Sequence, residues 1–188
     1  MNGWLDIVER LNDLLKGLVF TGRNQESIDT DQAFQLWSGW ASEVREREKT
    51  VYLIGNGASA SMASHFAADL AKNGHLHTQV FSDICLVTAV SNDIEFAEIY
   101  AEPLRRRGKK GDLLVAISSS GGSPNILRAV AVARQLGLHV VTLSGFKSDN
   151  PLRREGDLNA YVSANTYGEA ETSHAAVLHC WMDMVEVK

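Results

Sequence analysis

The chain has 188 residues, of which 45% are hydrophobic, and its formal net charge at pH 7 is −5. This length suits one α/β domain with a full core and is short for two. The acidic balance and the lack of a long apolar run argue against nucleic-acid and membrane partners, so we expect a cytoplasmic protein. The two cysteines, Cys85 and Cys180, lie far apart in apolar sequence and are predicted to be buried free thiols.

Residues 1–49 are predicted to form two helices that pack on the core or on another subunit. Apolar residues recur at helical spacing over 3–18, which predicts the first helix. The second helix is predicted to begin near Thr30 and to end in the charged run 45–49. The polar stretch 21–29 between them is predicted to be a loop.

Residues 50–188 alternate short apolar runs with helical segments. Four buried strands are predicted at 51–54, 113–117, 139–143 and 159–163. Two further short apolar runs span 78–81 and 84–90, and Ser91-Asn92-Asp93 is expected to break the second of them. Helices are predicted at 58–72, 96–106, 124–136 and 169–187. This alternation is typical of a largely parallel sheet covered on both faces.

Two turns rich in glycine, serine and asparagine follow predicted strands, at 55–59 and 118–123. In an open α/β sheet such turns lie at the carboxyl edge, where ligands bind, and each leads into a helix N-terminus that favours anions. Ser123 is predicted to be an N-cap, with Pro124 at the first helical position. Neither turn contains a lysine or arginine, so the chain lacks a P-loop. Hydroxyls and helix dipoles without fixed cations suit a single phosphate monoester.

The first turn also fits a dinucleotide-binding fingerprint, as Gly55-x-Gly57-x-x-Ala60. Asp83 is a candidate for the acid that binds a ribose in that interpretation. An isolated match of this kind is a weak signal. The serine-rich second turn and His65 are not required by it.

Four side chains could hold a metal ion or exchange protons. His65 and Asp69 stand four residues apart and share a helix face. Glu171 and His179 are separated by eight residues, about 12 Å along a regular helix. They converge only if the side chains lean toward each other, if the helix begins late, or if different subunits supply them. Two imidazoles and two carboxylates suit Zn²⁺. His174 falls off this line and is predicted to be structural.

Five motifs occur in an order that is shared with a known family. They are Gly55-Asn56-Gly57-Ala58-Ser59, His65-Phe66-Ala67-Ala68-Asp69-Leu70, Ser91-Asn92-Asp93, the run from Ser118 to Asn125, and the closing helix with His179. Over nearly the whole chain they resemble the sugar isomerase (SIS) domain family, and within it the bacterial phosphoheptose isomerases. The resemblance implies a single domain over 1–188, with a flavodoxin-like α/β/α sandwich and a mostly parallel five-stranded sheet. It also implies a homotetramer with sites between subunits.

The resemblance further implies an activity and a role for each motif. The activity is aldose–ketose isomerisation through an enediol, from sedoheptulose 7-phosphate to D-glycero-D-manno-heptose 7-phosphate. The residues that match the family's substrate contacts are Asn56, Gly57, Ala58, Ser59, Asn92, Asp93, Ser118, Ser119, Ser120, Ser123 and Glu171. Those that match its zinc positions are His65, Asp69, Glu171 and His179, with Asp69 and His179 as the acid/base pair.

Three positions depart from the family pattern. The family has Glu where this chain has Asp69, Gln where it has Glu171, and Gly where it has Ala58. A carboxylate withdrawn by one methylene can cost about 10²-fold in rate, because catalysis is sensitive to misplacements of roughly 1 Å. The added charge of Glu171 favours a divalent cation. Either the two changes compensate, or they mark an isomerase for another phosphosugar, or they mark a non-catalytic SIS module that binds a sugar phosphate or a protein.

Overall fold

A seven-stranded sheet forms the centre of the computed structural model, which describes residues 3–187. Its strands are β1 (Val19–Gly22), β2 (Ser27–Ile28), β3 (Thr50–Gly55), β4 (His77–Gln79), β5 (Leu113–Ser118), β6 (His139–Ser144) and β7 (Leu158–Tyr161). They lie in the order β2-β1-β7-β6-β5-β3-β4. The five strands from β7 to β4 are mutually parallel. These five form the parallel sheet that the sequence predicts.

The two additional strands correct the prediction of a loop at 21–29 and of five strands in all. β1 pairs antiparallel with β7 and with β2, so a hairpin extends the sheet at one edge. A tight turn closes the hairpin, with Gln25 in the left-handed region at φ 66°. Its second strand has only two residues, Ser27 and Ile28, which is too short to carry an alternating pattern.

Seven α-helices connect or cover the strands in the described residues. They are α1 (Trp4–Lys16), α2 (Thr30–Glu46), α3 (Ala58–Lys72), α4 (Ile84–Asp93), α5 (Ala101–Arg107), α6 (Pro124–Leu136) and α7 (Tyr167–Val185). Short 3₁₀ helices span Phe96–Glu98 and Pro151–Arg154. In residues 3–187 no helix has both the length and the apolar character needed to cross a membrane.

The apolar run 84–90 forms a helix that continues through residues 91–93, where a break was expected. The Asp83 side chain accepts a hydrogen bond from the Leu86 amide at 2.9 Å and caps the start of α4. Periodicity alone does not separate a short buried strand from a short helix, which explains the difference. Asn92 and Asp93 therefore lie in the last turn of α4.

Alternate residues of each central strand face opposite layers of helices. On one face Leu53 and Val115 pack with Trp37 of α2, Phe66 of α3 and Trp181 of α7. On the other face Tyr52, Ile54, Leu114 and Ala116 pack with α4, α5 and α6. The architecture is thus the three-layer α/β/α sandwich that was predicted. The parallel strands follow the flavodoxin order, in which β3 and β5 flank the point where the chain reverses direction across the sheet.

Helix α1 presents a largely uncovered apolar face. It packs on the rest of the molecule through buried Leu14. Trp4 is 75% exposed and Leu5 is 72% exposed, and Ile7 and Val8 are also exposed. Exposed apolar surface of this kind marks an interaction site in soluble proteins.

Both cysteines are free, as predicted, but they are exposed rather than buried. Cys85 lies in the first turn of α4, next to Ile84, which is itself 70% exposed. Residues next to each other in a helix point in different directions, so the apolar neighbours of each cysteine did not predict whether its thiol is buried.

Gly55 allows the first turn to approach helix α3. A β-carbon built at this position would lie 2.6 Å from both the backbone and the β-carbon of Ser59. We expect Gly55→Ala to lower the free energy of unfolding by about 1–3 kcal/mol through overpacking. The matched control is Gly39→Ala in α2, where nothing lies within 4 Å of the new atom and a gain of up to about 1 kcal/mol is expected. Urea unfolding measures both, and equal stability of the two variants would contradict the close approach.

Candidate functional site

A cavity of about 130 Å³ lies at the carboxyl edge of the sheet, beside the ends of β3 and β5. It is lined by Asn56, Ser59, Ile117, Ser118, Ser119, Ser120, Ser123, Tyr167 and Glu171. Both glycine- and serine-rich turns contribute to it, although they are about 60 residues apart in sequence. The structure therefore brings the two turns to one place, at the point of the sheet where flavodoxin-like folds bind ligands.

Hydroxyl groups and two helix N-termini face this cavity. Ser123 is the N-cap residue of α6, as predicted, but its side chain makes no capping hydrogen bond. Instead its Oγ lies 3.3 Å from Oγ of Ser118. Ser59, in the first turn of α3, also lines the cavity. None of the described lining residues is a lysine or arginine, so backbone amides, hydroxyls and helix dipoles supply the attraction for an anion.

The loop after β6 holds the second turn in its conformation. Gly145 donates its backbone N–H to the Ser119 carbonyl, and Leu152 donates to the Gly121 carbonyl, both at 3.0 Å. Gly121 adopts φ 61°, and a β-carbon there would lie 1.9 Å from Oδ1 of Asn150. Only glycine fits this position. The conformation of the turn therefore depends on Gly121 and on its contacts with the loop after β6.

The N-terminal half of α7 forms the remaining wall of the cavity. Tyr167 and Glu171 are four residues apart, share a helix face and both line the cavity. The Tyr167 ring packs edge-to-face on Phe146, with ring centroids 5.1 Å apart. Tyr167 and Ile117 were not predicted to line the cavity, although the i,i+4 relation of Tyr167 to Glu171 could have suggested the first.

His65, Asp69 and His179 form a second group, at the contact of α3 with α7. Nε2 of His65 lies 3.3 Å from Oδ2 of Asp69. The rings of His65 and His179 are 5.8 Å apart between centroids, and Phe66 packs against His179 at 4.7 Å. The His65 side chain is 56% exposed and that of Asp69 is 30% exposed. We call these three residues the imidazole cluster; it is an open surface rather than the floor of a pocket.

The predicted four-residue zinc set is divided between the cavity and the imidazole cluster. Glu171 lines the cavity, and His179 lies eight residues further along α7, a rise of about 12 Å. Among residues 3–187 of one chain, no three histidine, cysteine, aspartate or glutamate side chains are placed to hold a metal ion together. The set therefore does not fit zinc within a single chain.

The other predicted site residues lie beside the cavity or apart from it. Gly57 and Ala58 are exposed at the start of α3 and do not line the cavity. Asn92 and Asp93 are exposed at the end of α4, where the Asn92 amide donates to Asp93 Oδ1 at 2.8 Å. One chain therefore unites most of the predicted substrate contacts but not these four.

A family model described as the SIS domain matches residues 27–145. The chain belongs to the SIS domain family.

Relatives and solved structures agree with this membership. The SIS domain described here is 34% identical to the phosphoheptose isomerase of Aromatoleum aromaticum over 72% of this chain and 73% of the relative. It is 32% identical to that of Campylobacter concisus over 82% of this chain and 84% of the relative. The structure of phosphoheptose isomerase from Neisseria gonorrhoeae superimposes with a TM-score of 0.77 at 26% identity, covering 82% of this chain and 86% of the other.

The dinucleotide-binding interpretation finds no support in this SIS domain. Asp83, the candidate ribose acid, is the cap of α4, because its carboxylate accepts the Leu86 N–H. A carboxylate in that position stabilises the helix, which accounts for it without a nucleotide.

His174 is buried in the SIS domain core, as a structural role requires, and it is only 1% exposed. Burial lowers the pKa of His174 from 6.5 to about 4, and the Ser144 backbone opposes this in part. The folded chain thus keeps His174 neutral at pH values where the unfolded chain protonates it. Stability contributed in this way is complete above about pH 6.5 and is lost as the pH falls toward 4.

We expect the free energy of unfolding to fall by about 2–3 kcal/mol between pH 6.5 and pH 4.5 on account of His174. Urea unfolding at several pH values measures this slope. The control is His174→Asn, which cannot take up a proton and should show a flatter pH dependence whatever its stability at neutral pH. Identical slopes for the two proteins would contradict a neutral buried histidine.

Proposed function

We propose that this SIS domain is a phosphoheptose isomerase that converts sedoheptulose 7-phosphate to D-glycero-D-manno-heptose 7-phosphate. The observation that carries the proposal is the convergence of two serine-bearing helix N-termini on one cavity. The relatives named phosphoheptose isomerase at 32–34% identity support the choice of reaction. A phosphate monoester suits the cavity, because hydroxyls and amide dipoles can hold its charge where fixed cations are lacking.

In this proposal the cavity binds the phosphoryl group, and an acid and a base act on the carbonyl end of the sugar. The base removes the proton from the carbon next to the carbonyl, and the acid protonates the carbonyl oxygen, giving a cis-enediol. The proton then returns to the former carbonyl carbon, and the hydroxyl on the carbon that first lost its proton gives up its own proton and becomes the aldehyde oxygen, which completes the isomerisation. Asp69 and His179 are the proposed pair, and His65, 3.3 Å from Asp69, orients its carboxylate.

We propose that each complete site takes its cavity from one copy of the chain and its imidazole cluster from another. Two features support this. Glu171 lines the cavity and His179 belongs to the imidazole cluster. Within one copy these two residues are separated by a rise of about 12 Å along α7. The apolar face of α1, including Trp4 and Leu5, is exposed and needs a partner. The proposed assembly is a homo-oligomer, a tetramer by analogy with the family.

We also propose that the oligomer binds one zinc ion per subunit, because two imidazoles and two carboxylates suit Zn²⁺. The donors would be His65, Asp69, Glu171 and His179. Because one chain does not unite these donors, the steps above use only the chain's own residues. Metal analysis of the purified oligomer tests the prediction, and about one zinc per subunit is expected. Turnover that persists after complete removal of metal by a chelator would overturn it.

The direct test of the proposed function is a panel of ketose phosphates incubated with the protein, with aldose formation as the readout. Sedoheptulose 7-phosphate should be converted fastest. Faster conversion of another phosphosugar would replace the substrate and keep the reaction. Binding without turnover would instead favour a non-catalytic SIS module. We propose the cytoplasm as the compartment, since both cysteines are free thiols.

A further inference from the structure

Two asparagine side chains join the turns that form the cavity. Asn56 follows β3, and Asn125 lies in the first turn of α6, after β5. The Asn56 amide donates to Oδ1 of Asn125 at 3.0 Å, and the Asn125 amide donates to Oδ1 of Asn56 at 2.8 Å. The result is a closed pair of reciprocal hydrogen bonds between residues 69 positions apart.

The orientation of this pair is fixed by a third hydrogen bond. Oδ1 of Asn125 also accepts the backbone N–H of Ile126 at 3.0 Å. If the Asn125 amide were flipped, its NH₂ group would face the N–H of Ile126, and two donors would meet. The carbonyl oxygen of Asn125 must therefore face the N–H of Ile126. Asn125 is 1% exposed, and a buried polar group that lost its partner would be costly. An aspartate at either position could not complete the pair, because an ionised carboxylate has no donor.

The first turn is held from its other side as well. The Tyr100 hydroxyl donates to the Gly55 carbonyl, next to Asn56 in sequence, and burial raises the pKa of Tyr100. The turn is therefore clamped between Tyr100 and Asn125. With its amide and carbonyl both bound to Asn125, the Asn56 side chain is engaged inside the protein, although the residue was predicted to contact the sugar.

We propose that Asn125 is a positioning residue which, through Asn56, sets the spacing between the N-termini of α3 and α6 so that both address one phosphoryl group. Ser59 and Ser123 lie at the starts of these two helices, and both line the cavity. A displacement of either by roughly 1 Å would weaken the grip on phosphate, and such misplacements cost up to about 10²-fold in turnover. The inference deepens the proposed function and rests on it for the identity of the phosphorylated ligand.

The test is a double-mutant cycle with Asn56→Ala, Asn125→Ala and the combined variant. The readouts are the Kd of inorganic phosphate by calorimetry, kcat and KM for sedoheptulose 7-phosphate, and the melting temperature. Each single variant should raise the phosphate Kd by about 10-fold or more. The Kd of the combined variant should be no higher than that of the weaker-binding single variant, because either change alone already breaks the pair. Asn24→Ala, at the exposed hairpin, is the control and should leave the phosphate Kd unchanged.

The outcomes separate the two proposals. If the single effects multiply in the combined variant, or if folded variants keep the wild-type phosphate Kd, Asn125 is not a positioning residue. If Asn125→Ala fails to fold, Asn56→Ala decides, because Asn56 is only partly buried and its loss breaks the same pair. A non-additive loss of phosphate binding in a chain that converts no ketose phosphate would sustain the positioning role and remove the isomerase.

Discussion

Replacement of His179 with alanine is expected to lower kcat for sedoheptulose 7-phosphate by about 10²–10⁴-fold, the range that general acid–base catalysis supplies. KM should change little, because His179 lies in the imidazole cluster and not among the residues that line the phosphate cavity. The exposure of His179 predicts that the fold tolerates the change. Steady-state kinetics and a thermal melt measure both expectations.

The matched control is His77→Ala. His77 is also an exposed histidine, but it begins β4, at the opposite edge of the sheet from the cavity. Its replacement should leave kcat within about twofold of wild type, as is usual for exposed positions away from a site. Full activity of His179→Ala would remove His179 from the mechanism, whereas an equal loss in both variants would point to damage of the fold.

A negative charge placed in the cavity should weaken phosphate binding strongly. Ser120 is exposed and lines the cavity, so Ser120→Asp can fold and would set a carboxylate against the phosphate dianion. We expect KM to rise by about 10²-fold or more, because like charges a few ångströms apart repel strongly in a partly enclosed site. Ser120→Ala removes one hydroxyl without adding charge, and it should raise KM by only about 5–10-fold.

The control for charge alone is Ser82→Asp, an exposed serine that does not line the cavity. It adds the same charge to the protein and should leave KM unchanged. Calorimetry with inorganic phosphate should show the same ranking of the three variants. A Ser120→Asp variant that binds phosphate like wild type would place the phosphoryl group elsewhere.

Local signals allowed much of the fold to be predicted from the sequence. Helix α3 has the predicted bounds because a glycine turn precedes it and neither glycine nor proline interrupts it. Helix α6 begins after Ser123 and stops at Gly137, which adopts φ 78°. The alternation of apolar runs and helices predicted a largely parallel sheet, and hence that both turns lie at its carboxyl edge.

Features that depend on distant partners were missed. The β1–β2 hairpin exists because β1 pairs with β7, which lies more than 130 residues further along the chain. Tyr167 was not expected in the site, because its ring is oriented by contact with Phe146, which lies in the loop after β6. The hydrogen bonds between Asn56 and Asn125 were not predicted either, because the two residues are 69 positions apart and no local pattern pairs their side chains. Such contacts arise only when the whole sheet is assembled.

Whether two copies share each site can be tested by complementation between two variants that are each nearly inactive at a substrate concentration near the wild-type KM. His179→Ala chains keep the cavity, and Ser120→Asp chains keep the imidazole cluster. The two are co-expressed with different affinity tags, and oligomers that contain both are isolated. If one copy supplies the cavity and another the imidazole cluster, random assembly should restore about a quarter of wild-type turnover per site. Turnover no higher than that of the separate variants would contradict a site shared between copies.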